Sequence, residues 1–215
     1  MDSAAAPLWR HHGLISNREI VGSVLAGGQS RRMGEDKARL RLTGKTLLDR
    51  AIERLKPQAA SLIINVHAEA DDLHTYGLPV VTDAQGHHMG PLAGILASLR
   101  WAKENNIAWI ATAAVDTPFF PKDLVERLAA VARTKTMAVA SSGGRLHPVF
   151  GLWRATLAVE LALFIESGPR SVLQWVQSHD AGIAEWPIEP YDPFFNINQP
   201  DDVTRAVEIV NEFSP

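Results

Sequence analysis

Short apolar, β-branched runs alternate along this chain with longer segments of helical periodicity. The predicted strands are IVGSVLA, SLIINVH, LPVVTD, AWIATAAV and, in the second half, segments near MAVAS and HPVFGLW. The predicted helices are TLLDRAIERLK, GPLAGILASLRWAKE, LAVELALFIES, SVLQWVQSH and PDDVTRAVEIV. This alternation favours an α/β fold, with an open, mostly parallel sheet and helices on both faces. We find no internal repeat or flexible linker, so we predict one domain over residues 20–215 after a loose tail, residues 1–19.

Three positions mark predicted helix starts. Thr46 is followed three residues later by Asp49, a pattern typical of a capping box at a helix N-terminus. Pro91 and Pro121 each lie where a first helical turn is expected, and proline is tolerated there because that turn does not need its missing N–H.

Composition excludes several classes of function. The 215 residues carry a formal net charge of -3, so the chain lacks the broad positive field that a nucleic-acid-binding protein needs. It has no cysteine, which excludes disulfides and thiolate metal sites and is compatible with the cytoplasm. No apolar run approaches the roughly 20 residues that span a bilayer, and residues 1–19 do not resemble a signal peptide. We expect no nucleic-acid or membrane partner.

A glycine-rich segment, VLAGGQSRRMG, follows the first predicted strand. In open α/β sheets ligands bind beyond the carboxyl ends of the strands, and the first loop is the usual phosphate site. Gly27 and Gly28 would let backbone N–H groups approach an anion, while Arg32 and Lys37 would supply positive charge. The alternative is a tight glycine turn with solvated arginines. The spacing fits neither G-x-x-x-x-G-K-[ST] nor the dinucleotide fingerprint G-x-G-x-x-G.

Further polar residues follow predicted strands. Asp116 ends AWIATAAV and would lie at the same sheet edge as the glycine loop, where it could bind Mg²⁺ or cap the next helix. Asn196 and Asn198 are two residues apart, so in an extended segment both side chains point to one face. Asp83 comes after the strand LPVV and Asn65 ends the preceding strand, positions typical of turn residues as well as ligand contacts.

The glycine segment resembles a motif of the nucleotidyltransferase superfamily, L-A-G-G-x-S-x-R-M-G-x-D-K, between Leu25 and Lys37. The whole chain, from about residue 20 to about residue 210, is similar to the molybdenum cofactor guanylyltransferases. The blocks that carry this resemblance are IINV, VVTDA, GPLAGI, VDTPFF, HPVFGLW, RSVLQW and FFNINQPDDV. The resemblance implies a three-layer, Rossmann-like sheet of the nucleotidyltransferase type.

It also implies a reaction in which GMP passes from GTP to the terminal phosphate of molybdopterin, with Mg²⁺ as cofactor. The catalytic residues implied are Arg32, Lys37 and Asp116, and Asp116 is also the implied metal ligand. The implied nucleotide-binding residues are Leu25, Ala26, Gly27, Gly28, Lys37, Asn65, Asp83, Gly90 and Asp116. The implied acceptor-binding residues are His147, Arg170, Asn196 and Asn198. Molybdoenzymes or other cofactor-biosynthesis proteins are expected partners of a monomeric, cytoplasmic enzyme.

Alternatives remain at this stage. A packed histidine before proline explains His147 as well as a ligand contact does. A sister enzyme that uses CTP, or a catalytically silent protein that binds nucleotide or pterin, would share most of these residues. His87 and His88 lack partners at metal-ligand spacing, so we interpret them as solvated.

Overall fold

The computed structural model describes residues 15–27, 37–68, 71–83, 90–168 and 171–213. Its strands are β1 (Ile20–Leu25), β2 (Arg41–Leu42), β3 (Lys45–Thr46), β4 (Ser61–Val66), β5 (Val80–Thr82), β6 (Trp109–Ala114), β7 (Met137–Ser142), β8 (Arg145–Arg154) and β9 (Gly182–Trp186). Its α-helices are α1 (Leu47–Leu55), α2 (Pro91–Glu104), α3 (Leu124–Val131), α4 (Ala158–Glu166), α5 (Val172–Gln177) and α6 (Pro200–Phe213).

Seven of these strands form one sheet in the order β5-β4-β1-β6-β8-β7-β9. The strands β5, β4, β1 and β6 run parallel to one another, and β9 runs parallel to β7. Only β8 is antiparallel to its neighbours β6 and β7. The predicted open, mostly parallel sheet is therefore confirmed. The carboxyl ends of the parallel strands β5, β4, β1 and β6 meet at one edge.

Apolar side chains cover both faces of the sheet. On one face α1, α3 and α6 pack through residues such as Leu55, Leu128 and Ile209. On the other face α2, α4 and α5 pack through residues such as Ile95, Leu161 and Trp175. This confirms the three-layer arrangement, in which burial of the apolar stripe of each helix stabilises the sheet between them.

The predicted helix starts have different outcomes. Thr46 is the N-cap of α1 and forms the predicted capping box with Asp49. Pro91 is the first residue of α2, also as predicted. The prediction for Pro121 was wrong, because α3 begins at Leu124 and its N-cap is Asp123. The carbonyl of Pro121 instead accepts hydrogen bonds from Leu124 N–H and from the Gln58 side chain.

The structure describes the N-terminal segment from residue 15 onward. Residues 1–14 of the predicted tail lie outside the described residues, whereas Asn17–Glu19 forms a short 3-10 helix capped by Ser16. Within the described ranges, no helix combines the length and the apolar character needed to cross a bilayer.

Candidate active site

A cleft of about 830 Å³ lies where the carboxyl ends of the parallel strands meet. Its volume falls in the range typical of small-molecule sites, roughly 300–1,000 Å³. Residues that follow β1, β4, β5 and β6 line one part, and residues of β8 and of the segment before α6 line the rest. The lining residues include Leu25, Gly27, Lys37, Asn65, His67, Asp83, Gly90, Gly94, Asp116, His147, Asp192, Phe194, Asn196, Asn198 and Asp202.

Lys37 joins three parts of the chain at the centre of this cleft. Its Nζ donates to Asp116 Oδ2 over 2.8 Å and to Asn198 Oδ1 over 2.6 Å. Only 9% of Lys37 is exposed, which is unusual for a lysine and requires paired partners. The end of the glycine loop, the end of β6 and the segment before α6 therefore meet at one ammonium group.

Backbone hydrogen bonds hold the asparagine segment against the Asp116 turn. Ile197 N–H donates to the Asp116 carbonyl over 2.8 Å, and the Ile197 side chain is fully buried. Asp202, in the first turn of α6, accepts from the N–H groups of Asn198 and Gln199 over 2.7 and 2.8 Å. Asn196 and Asn198 both line the cleft on either side of Ile197, in agreement with the predicted alternation.

A second polar network lies at the ends of β4 and β5. Asn65 Nδ2 donates to Asp83 Oδ1 over 2.8 Å and to the Val81 carbonyl over 3.2 Å. His67 Nδ1 lies 3.8 Å from Asp83 Oδ2. Burial raises the pKa of Asp83, and the hydrogen bond from Asn65 and the nearby His67 partly offset that rise. The network presents a desolvated carboxyl group to the cleft, suited to accept N–H or O–H groups of a ligand.

Two glycines beside this network meet different backbone requirements, a close approach at Gly27 and a positive φ at Gly90. A Cβ at Gly27 would lie 3.0 Å from His67 N, so the chain after β1 passes close to the end of β4. Gly90 has φ +54° and is the N-cap of α2, a left-handed conformation that favours glycine. Gly27 follows β1 and Gly90 precedes α2, and both line the cleft.

Residues of β7, β8 and the segment before α6 form the other part of the cleft. The ring of His147 stacks on Phe194 with centroids 4.5 Å apart, and its Nε2 lies 2.8 Å from Ser142 Oγ. Ser142 Oγ also donates to Asp192 Oδ1 over 2.9 Å. Burial lowers the pKa of His147. These contacts hold the imidazole of His147 in a fixed position at the cleft wall.

The donor set consists of oxygen atoms and fits magnesium or another hard cation. Among the described residues, no three His, Cys, Asp or Glu side chains are grouped to hold a metal ion. Asp116 offers one carboxylate, whose Oδ1 has, among the described side chains, a weak 3.5 Å contact with the Thr117 hydroxyl, and Asn196 and Asn198 also line the cleft with their amides. Mg²⁺ is commonly bound by one or two carboxylates together with substrate phosphates, so these residues fit it.

Comparison with known proteins places this arrangement in a family. The family model for the MobA-like NTP transferase domain matches residues 22–181. A molybdenum cofactor guanylyltransferase of Rhizobium johnstonii is 43% identical over 89% of this chain and 93% of its own length. One from Rhodopseudomonas palustris is 41% identical over 86% of this chain and 91% of its own length. The chain belongs to the molybdenum cofactor guanylyltransferase family.

Solved structures agree with this assignment. Molybdopterin-guanine dinucleotide biosynthesis protein A from Archaeoglobus fulgidus has a TM-score of 0.70 and 26% identity, covering 90% of this chain and 100% of that one. A 4-diphosphocytidyl-2C-methyl-D-erythritol synthase from Anaerococcus prevotii has a TM-score of 0.69 with 11% identity, which shows the fold alone and covers 90% of this chain and 96% of its own. The chain is thus a nucleotidyltransferase in fold and family.

The structure brings most of the site residues predicted for a molybdenum cofactor guanylyltransferase into one cleft. The predicted residues that line it are Leu25, Gly27, Lys37, Asn65, Asp83, Gly90, Asp116, His147, Asn196 and Asn198. Ala26 is buried in the core, and its N–H donates to the Asn65 carbonyl. Gly28, Arg32 and Arg170 lie outside the described residues, as do His87 and His88.

Sequence reasoning missed the residues that hold these groups in place. Ser142, Asp192 and Phe194 support His147, while His67 lies beside Asp83. Their contacts join positions far apart in sequence, so local patterns do not reveal them. Asp202 was also missed, although the sequence contains a signal for it. An acidic residue in the first turn of a predicted helix indicates an interaction with free N–H groups.

Gly94, in α2, makes room for the side chain of Asn65. A Cβ at position 94 would lie 2.3 Å from Asn65 Oδ1. We therefore predict that Gly94→Ala displaces Asn65, breaks its bond to Asp83 and destabilises the protein by about 1–3 kcal/mol. Denaturant unfolding of the variant measures this loss.

A double-mutant cycle isolates the proposed clash. In an Asn65→Ala background the obstructing amide is absent, so Gly94→Ala is expected to cost much less there. An equal loss of stability in both backgrounds would show that Gly94 is required for another reason.

Proposed function

We propose that this chain transfers GMP from GTP to the terminal phosphate of molybdopterin and releases pyrophosphate. A phosphate oxygen of the acceptor attacks the α-phosphorus of GTP, and the bond from that phosphorus to the β-phosphate bridging oxygen breaks. The products are the guanine dinucleotide form of the cofactor and pyrophosphate. The observation that carries the proposal is the contact of Lys37 with both Asp116 and Asn198, in a cleft of about 830 Å³.

Lys37 and Asp116 are proposed as the central charged groups of the reaction. Both substrates are anions, so the protein must align them and offset negative charge as it moves to the leaving pyrophosphate. Lys37 supplies a compact ammonium group on a flexible stem, suited to phosphate oxygens. By resemblance, Arg32 adds a second cation from the glycine loop. No general base is needed, because a phosphate oxygen is already anionic at neutral pH.

Magnesium is the proposed cofactor, with Asp116 as its protein ligand and the asparagine amides as further oxygen donors. When bound, Mg²⁺ supplies positive charge beside the substrate phosphates. Asp116 then serves to place that charge at the end of β6. Asn198 holds the Lys37 ammonium close to the same carboxylate, which keeps the two positive groups on one side of the reacting phosphates.

The two parts of the cleft are proposed to take different ligands. The strand-end network of Asn65 and Asp83 takes the nucleoside of GTP, with its triphosphate near Gly27, Gly28, Gly90 and Lys37. The part formed by β8 and the segment before α6 takes the acceptor, with its pterin at His147 and its phosphate near Asn196 and Asn198, together with Arg170 by resemblance. The reacting phosphates then meet between these parts, beside Lys37 and Asp116.

We also propose that the enzyme acts in the cytoplasm as a monomer. It passes its product to molybdoenzymes or to other proteins of cofactor biosynthesis. The net charge of -3 and the absence of cysteine are compatible with this setting.

Thermal unfolding with each nucleotide tests the choice of GTP. A ligand that binds only the native state stabilises it by mass action, so GTP with Mg²⁺ is expected to raise the melting temperature most. CTP, ATP and UTP at the same concentration serve as controls. A larger shift with CTP would contradict the guanylyl assignment, and equal shifts with all four would indicate a site that reads only the triphosphate.

A further inference from the structure

A chain of hydrogen bonds runs behind the imidazole of His147 at the cleft wall. Ser142, at the end of β7, is 3% exposed, and its Oγ contacts both Asp192 Oδ1 and His147 Nε2. Asp192 Oδ1 also accepts from Phe194 N–H over 2.9 Å, and the Phe194 ring stacks on His147. Asp192 therefore fixes both the hydroxyl that contacts the imidazole and the ring that packs against it.

The chemistry of these groups determines where the protons lie. An ionised carboxylate only accepts hydrogen bonds, so the single hydroxyl proton of Ser142 is donated to Asp192. Ser142 Oγ can then only accept from the imidazole, which requires a proton on His147 Nε2. In a neutral imidazole with Nε2 protonated, Nδ1 carries a lone pair and accepts a hydrogen bond.

We propose that Ser142 and Asp192 are positioning residues that hold His147 as the Nε2–H tautomer, so that Nδ1 accepts an N–H of the acceptor's pterin ring. This rests on the proposed function, since it identifies which part of molybdopterin His147 recognises. A phosphate offers oxygen acceptors and would repel a lone pair at Nδ1. The amino and ring N–H groups of a pterin offer the matching donors.

The surroundings of His147 support a neutral ring. Burial lowers its pKa, and Arg145 on the same strand acts in the same direction. Asp192 and Glu185 act in the opposite direction but are outweighed. Among the described residues, His147 Nδ1 has no hydrogen-bond partner, which leaves it available to a ligand in the cleft that His147 lines.

The arrangement differs from a hydrolytic Ser-His-Asp triad. In a triad the histidine accepts the serine proton and the carboxylate orients the histidine. Here the serine lies between the other two groups and gives its proton directly to Asp192. Ser142 is thus a relay between a carboxylate and an imidazole, and it is not a nucleophile.

Nitrogen NMR of the ¹⁵N-histidine-labelled full chain tests the tautomer directly. The His147 signals are assigned by their loss in His147→Gln. We expect a protonated Nε2 and an unprotonated Nδ1 at neutral pH. Addition of molybdopterin should change the chemical shift of Nδ1, while the imidazole takes up no proton. A protonated Nδ1 in the free protein, or an imidazolium after addition of molybdopterin or of inorganic phosphate, would overturn the proposal.

Kinetics of Ser142→Ala test the consequence for substrate recognition. We expect the KM for molybdopterin to rise about tenfold, the scale of one hydrogen bond, with GTP binding unchanged. Ser142→Thr, which restores the hydroxyl, should recover most of the loss. The matched control is Ser141→Ala, which removes a neighbouring buried hydroxyl bonded to Glu185 and should leave the KM near its original value.

The outcomes separate this inference from the proposed function. If the KM for molybdopterin is unchanged in Ser142→Ala and the unaltered enzyme still makes the dinucleotide, the role of the relay is overturned. The proposed function is not affected by that result. Failure of the unaltered protein to bind molybdopterin would contradict the proposed function, and the assignment of the pterin to Nδ1 would fall with it. The tautomer in the free protein tests the relay independently of any ligand.

Discussion

Replacing Asp116 by Asn is expected to lower the turnover number for nucleotidyl transfer by about a hundredfold or more, while the protein stays folded. The change keeps the size of the side chain and removes its charge. Asp116 pairs with Lys37 at the end of β6 and is the only carboxylate proposed to bind Mg²⁺, so the loss removes the group that places positive charge at the phosphates. Steady-state kinetics with saturating GTP, Mg²⁺ and molybdopterin measure the effect.

Asp123→Asn is the matched control for this substitution. Asp123 lies at the start of α3, accepts from the Trp186 indole and does not line the cleft. We expect its turnover to stay near that of the unaltered enzyme. Melting temperatures of both variants show whether the fold is intact. Near-normal turnover in Asp116→Asn would mean that Asp116 has a structural role in its turn and that the metal lies elsewhere.

Lys37→Ala is expected to lower turnover by about a hundredfold, with a smaller effect on GTP binding. If the ammonium stabilises charge that grows as pyrophosphate leaves, its interaction is stronger in the transition state than in the ground state. Its loss then reduces the turnover number more than the affinity. Kinetics, together with a direct measurement of GTP binding, separate these two effects.

An exposed lysine provides the control for Lys37. Lys45 pairs with Glu53 on the surface, where its side chain is 53% exposed, so Lys45→Ala should leave both kinetics and stability nearly unchanged. A raised Michaelis constant with full turnover in Lys37→Ala would indicate uniform binding of the triphosphate instead. The same test applies to Arg32→Ala, whose role stays a prediction because Arg32 lies outside the described residues.

The fold was largely predictable from hydrophobic periodicity. Alternating strand and helix patterns identified β1, β4, β5, β6 and the helices that cover them, because the strands are short apolar runs and the helices repeat apolar residues at helical spacing. The hairpin of β2 and β3 has only two residues in each strand, which is too short for a periodic signal. The strand β9 was missed because it is short and lies at an edge of the sheet, where the exposed position 183 is an isoleucine, so apolar and polar residues do not alternate clearly along it.

The part of the candidate site that lies at the carboxyl ends of the parallel strands was predictable from the order of strands and helices. Asn65 lies near the end of β4, Asp83 and Asp116 follow β5 and β6, and parallel strands bring their carboxyl ends to one edge. The pairing of Lys37 with Asn198 joins residues 161 positions apart, and no local pattern contains that information. The relay through Ser142 was hidden for the same reason, since Asp192 and Ser142 are 50 positions apart.

Product analysis with α-labelled nucleotides is the most direct test of the central claim. The protein is incubated with molybdopterin, Mg²⁺ and either α-³²P-GTP or α-³²P-CTP, and the labelled product and pyrophosphate are quantified. We expect label from GTP in a guanine dinucleotide form of the pterin, with one pyrophosphate released for each product and none without the acceptor. Transfer of label from CTP but not GTP, or pyrophosphate release that does not depend on molybdopterin, would contradict the account.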